Sequence, residues 1–163
     1  MPLSFARICR FSPKFLNFVR TKILYLMNLK TNVPNKSYTL ADVINKTQSF
    51  PTLRPGTERL LAVNISQTIH DNSEERRDLY EKTRKYWRVN IKRAQQADFV
   101  LGYVNNIVVS VVKPHQDGWY PAQYQGQQRS AFKGELVDDS PYLYKDISQW
   151  TSKGQRAERY INF

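Results

Sequence analysis

Cysteine is almost missing. Cys9 is the only one in 163 residues, which excludes an intramolecular disulfide and a cysteine-rich zinc cluster. That usage suits a reducing compartment, and a cytoplasmic protein is the expectation. Histidine is nearly as scarce. His70 and His115 have no cysteine partners and belong to no His-Glu helix motif, which disfavours a zinc finger or a zinc deaminase. No Gly-rich loop ends in Lys-Ser or Lys-Thr to cradle phosphates. No nucleophile elbow is present. No apolar run is long enough to span a bilayer, so no transmembrane segment is expected. Acidic residues are missing before Asp42, where seven basic residues stand alone: Arg7, Arg10, Lys14, Arg20, Lys22, Lys30 and Lys36.

Aromatic and positive side chains fill the space those absences leave. Ten Tyr, eight Phe and three Trp accompany a net charge of +11. A strongly basic chain favours polyanions: nucleic acid, anionic membrane or an acidic protein. The charge is unevenly divided. From Asp42 onward 18 basic residues face 14 acidic ones, a surplus of four. The remaining seven charges precede the region with the strongest folding signals, so net charge alone is a discounted argument for nucleic acid.

Three segments follow from composition. Residues 1–27 space apolar residues at Phe5, Ile8, Phe11, Phe15 and Ile23 among Arg and Lys. This fits a basic amphipathic or organellar targeting segment, a helix packed on the domain, or an extension before a natural start at Met27. Residues 28–56 hold a short helix capped by Thr39, then a linker broken by Pro51, Pro55 and Gly56. Residues 57–163 form the main domain.

Within that domain, residues 59–65 predict a buried strand. The spacing of Leu79, Tyr80, Thr83, Trp87, Ile91 and Ala94 predicts one long helix over 73–96, capped by Asn72 with Glu75. It would bury Leu79, Thr83, Trp87 and Ile91 and turn Arg88, Lys92 and Arg93 outward. Two strands follow, joined at Asn105-Asn106, which tolerate the positive φ of a two-residue hairpin. A turn is expected at Asp117-Gly118, with Trp119 exposed on it, and a mobile loop at residues 124–128. A strand over 129–137 has Gly134 as a bulge or close approach. A turn at 138–144, one or two helical turns, and a last strand ending in Asn162 complete the chain. The fold class is α+β: a small, mostly antiparallel curled sheet or pseudo-barrel with one long helix.

An ordered set of motifs runs through this region. Tyr80, Glu81, Thr83, Arg84 and Trp87 come first, then Arg129, Phe132 and Gly134, then Gly154, Gln155, Tyr160 and Asn162. In order and spacing they resemble the PUA-like superfamily, which includes the ASCH, EVE, YTH and SRA groups. The likeness covers roughly 59–163 and none of the first 55 residues. It implies a pseudo-barrel that binds DNA or RNA, often reading a modified or flipped base in an aromatic pocket.

The candidate nucleic-acid residues are Trp119, Arg129, Phe132 and Tyr144 around a base, with Arg84, Arg88, Lys92 and Arg93 on phosphates. Trp87 reads as core, and Arg84 as more structural than functional. Tyr142 shares a face with Tyr144 if that stretch is extended. No catalytic residue, metal ligand or cofactor is expected. Two other classes fit the composition. One is a basic interaction module that blocks an acidic protein partner, such as a defence enzyme. The other is a small metal-dependent nuclease using Glu135, Asp138 and Asp139.

Overall fold

Strand β1, Leu60–Asn64, is apolar at four successive positions, all of them buried. A strand covered on both faces reads this way. In the computed structural model, which describes residues 37–151 and 157–163, β1 lies inside a sheet ordered β4-β3-β2-β1-β5. Its neighbours are β2 (Phe99–Val104), β3 (Ile107–Tyr124), β4 (Gln127–Leu136) and β5 (Glu158–Ile161). β1 runs parallel to β2, and the other three pairings are antiparallel. The sheet curls into a half-barrel dressed with short helices, an α+β architecture.

Each face of the sheet carries its own apolar cluster. Leu61, Val63, Val100 and Val104 join Trp87, Trp119 and Phe132 on one face. Leu60, Ala62, Leu101 and Tyr103 join Leu53, Tyr142 and Ile147 on the other. The alternation along β1 and β2 is the period of two that a pleated strand imposes.

Residues 38–55 lie in the same compact unit as the sheet, which runs Tyr38–Phe163. Helix α1, Leu40–Asn45, begins at Thr39 with a reciprocal Asp42 capping box. Val43 and Leu53 are buried in the two clusters. Burying such a side chain contributes about 1.5–3 kcal/mol, so this stretch adds to the stability of the sheet it packs on. The expectations for residues 1–27 lie outside the described residues.

The long helix over 73–96 is replaced by three short pieces. A 3₁₀ turn spans Glu74–Arg76, α2 spans Leu79–Arg84 and α3 spans Ile91–Ala94. Asp78 and Asn90 cap the two helices, accepting from the backbone N–H of Glu81 and Arg93. Between them Lys85 is extended, Tyr86 has φ 69°, and Trp87 forms an antiparallel bridge to Ser130. Tertiary demand explains the break. β4 is an edge strand whose open backbone groups need partners. Trp87 N–H donates to the Ser130 carbonyl at 2.9 Å, and the Trp87 carbonyl accepts from the Ser130 N–H at 2.8 Å. The apolar spacing is still used: Trp87 is 8% exposed and Thr83 0%.

Two expected turns also differ. Asp117-Gly118 makes no reversal, because β3 continues for 18 residues and absorbs His115–Gly118 as a register shift between Pro114 and Trp119. A Cβ at Gly118 would collide with the Lys133 carbonyl, so glycine serves close approach in a bulge. The loop expected at 124–128 is a tight hairpin instead, with Gln125 and Gly126 at φ 49° and 72°. Asn105-Asn106 does form the two-residue turn, at 51° and 68°.

Gly102 lies under α2, where a Cβ would overlap the hydroxyls of Thr83 and Ser110. Those hydroxyls are hydrogen-bonded to each other inside the core. Gly102→Ala is therefore expected to destabilise the fold by about 1–3 kcal/mol, as overpacking does. Urea unfolding of the variant measures it.

Candidate nucleic-acid interface

The eight residues expected at the site separate into three that are built into the fold, two that lie elsewhere, and three that share a groove. Arg84 is internal bracing. Its guanidinium donates to Glu81 Oε2 at 3.1 Å, to the Tyr120 hydroxyl at 3.0 Å and to the Phe132 carbonyl at 3.3 Å. It also lies 5.4 Å from the Tyr80 ring centre, and the Tyr80 hydroxyl accepts from Gly134 N–H at 3.2 Å. The helix motif thus clamps α2 onto β4. Lys85 completes the clamp with a 2.5 Å ion pair to Glu81.

Trp119 and Phe132 are core. Trp119 is 5% exposed and Phe132 0%. They face each other across the β3–β4 register with ring centres 4.6 Å apart. The exposure expected for Trp119 came from the Asp-Gly turn, and it goes with that turn. Tyr144 lies elsewhere. It has φ 54° and packs near Tyr38, ring centres 5.9 Å apart. Its segment is a turn, so it shares no face with Tyr142, which is buried in the opposite cluster and donates to Glu58 at 2.9 Å. Arg93 is drawn over the Tyr160 ring at 4.1 Å, beside Phe163.

The third group converges. Arg88, Lys92 and Arg129 line one groove of about 640 Å³ between the Trp87–Lys92 stretch and the outer strand β4. Trp87, Val89, Ile91 and Pro121 give it apolar walls, and Asn90 and Gln128 add amides. The Trp87–Ser130 bridge positions it, helped by the Ser130 hydroxyl donating to the Val89 carbonyl at 3.2 Å. The break that ends the expected helix therefore builds this site.

Its electrostatics are one-sided. Arg88 Nη2 donates to Gln127 Oε1 at 3.0 Å, and Arg129 Nη2 to the same oxygen at 2.5 Å. Two guanidinium groups thus converge on one neutral acceptor. Among the described residues, neither they nor Lys92 make an ion pair with a carboxylate. Like charges that close repel by on the order of 1 kcal/mol in water, and by more where the dielectric is lower. A bound anion would relieve that repulsion. The contrast with Glu81 is direct, since that carboxylate is neutralised twice.

Burial acts to raise the Glu81 carboxyl, but hydrogen bonds and ion pairs from Lys85 and Arg84 outweigh it and hold it below the ordinary value of 4.5. A carboxyl lowered in the folded state contributes stability above its unfolded pKa and loses it as pH falls through the folded one. Glu81→Gln is expected to cost about 2 kcal/mol at neutral pH. The gap to the native protein should narrow as acid protonates Glu81. Unfolding curves across a pH series read both effects.

The carboxylates considered for metal are dispersed. Glu135 faces His115 at 3.7 Å, and Asp138 and Asp139 are exposed in the turn after β4. Among the described residues no three His, Cys, Asp or Glu side chains group to hold a metal ion. No helix among them is long and apolar enough to cross a membrane.

Sequence reasoning picked out Arg88, Lys92 and Arg129 but not Gln127, Asn90 or Pro121. Asn90 carried a usable signal, as a helix-capping residue before Ile91. Gln127 and Pro121 carried none, because their roles depend on the β3–β4 register. The chain matches no protein-family model, no curated protein and no solved structure.

Proposed function

We propose that this protein is a nucleic-acid-binding domain of PUA-like type. The observation that carries the proposal is the groove of Arg88, Lys92 and Arg129, three cations gathered without a carboxylate partner among the described residues. From Asp42 onward the surplus is only four charges, so such local segregation is selective. Arg and Lys neutralise phosphates and set register on the strand, and apolar walls take sugar or base. The PUA-like reading is supported by the curled half-barrel and by Tyr80, Glu81, Arg84 and Trp87 acting together to brace β4. A base would lie against Trp87 and Pro121, since the Trp119–Phe132 pair is closed.

Fluorescence titration of single- and double-stranded DNA and RNA, at several salt concentrations, tests the proposal. Binding that weakens steadily with salt is the expected result. Absent or salt-insensitive binding to all four would overturn it.

A further inference from the structure

We infer that the groove recognises a strand end, holding a terminal phosphate monoester rather than an internal phosphodiester. This rests on the nucleic-acid reading and narrows it. An internal phosphodiester carries a single negative charge, whereas a phosphate monoester carries about −1.5 to −2 at neutral pH. Three cations without a carboxylate partner among the described residues overmatch the first and suit the second.

The geometry fits a monoester too. Arg88 and Arg129 already aim donors at one point, the position of Gln127 Oε1. A phosphate oxygen brought there is a stronger acceptor than a neutral amide, because its hydrogen bonds are charge-assisted. Gln127 holds both guanidinium forks in a converging arrangement until the anion arrives. Lys92 contributes a third positive charge to the same groove. Pro121, Val89 and Ile91 offer the first nucleoside an apolar wall. The paired Trp87 and Ser130 backbones form one side of the groove.

Short single-stranded oligonucleotides of one sequence separate the outcomes, prepared with a 5′-phosphate, a 3′-phosphate or hydroxyl ends. They are titrated against the full chain and its Gln127→Glu variant. That variant puts a carboxylate between the two arginines, satisfying them internally while leaving the hairpin intact. The expected result is that one phosphorylated end binds at least about tenfold tighter than the hydroxyl form. Gln127→Glu should erase that difference with no fall in melting temperature. Equal, salt-dependent binding of all three oligonucleotides would overturn the strand-end inference and leave the nucleic-acid reading standing. No binding to any would overturn both. A nucleoside monophosphate that competes as well as the phosphorylated oligonucleotide would also overturn the inference, because the site would then take a free phosphate ester.

Discussion

Phe132→Ala is expected to lower the free energy of unfolding by about 3–5 kcal/mol. Phe132 is 0% exposed and is the largest of the fully buried side chains among the described residues. Its ring packs tilted against Trp119, and both belong to the same apolar cluster. Removing the ring forfeits its transfer energy and leaves a cavity that the paired β3 and β4 backbones cannot collapse to fill. A domain of this size is stable by about 5–15 kcal/mol, so the variant sits near the edge of folding. Denaturant titration measures the loss. A change under about 1 kcal/mol, together with weaker oligonucleotide binding, would instead mean that Trp119 and Phe132 form an openable base pocket.

Replacing Arg88 and Arg129 together by Ala is expected to weaken oligonucleotide binding on the order of 10- to 100-fold near physiological salt. That corresponds to about 1 kcal/mol or more for each charge-assisted hydrogen bond removed. The effect should be similar for all sequences, because phosphate contacts carry no base information. The fold should be unaffected. Arg88 is exposed and Arg129 half-buried, and among the described residues the side chain of each is hydrogen-bonded to Gln127 alone. Removing both also removes their mutual repulsion. Circular dichroism and thermal melting establish that the variant is folded, and a competition titration gives the affinity.

What could be read from the sequence divides along a physical line. Local signals succeeded where local and tertiary preferences agree. The apolar run of β1, the Asn105-Asn106 turn and the Thr39–Asp42 capping box each stand where the residues point. They failed where a partner strand overrides local preference. The stripe from Leu79 to Ala94 has helical spacing, yet β4 needs an edge partner, and Trp87 supplies it by leaving the helix. Tyr86, Trp87 and Val89 are residues that favour extended backbone, and Asp78 and Asn90 are both capping types. Those two signals together would have split the helix. Asp117-Gly118 is as good a turn as Gln125-Gly126 is a poor one, and the chain reverses at the second. Only the β3–β4 register decides between them. The same register brings Gln127 between Arg88 and Arg129, which no spacing along the chain foretells.

The central claim is that Arg88, Lys92 and Arg129 neutralise nucleic-acid phosphates. The most direct measurement is the slope of log affinity against log salt concentration, for the native chain and for the Arg88→Ala, Arg129→Ala double variant. The seven basic residues before Asp42 are common to both proteins, so the difference between the slopes isolates the groove. Removing two phosphate-neutralising charges should flatten the slope by about 1.4 units on single strands or about 1.8 on duplex. Parallel lines for the two proteins, with the double variant folded, would contradict the account.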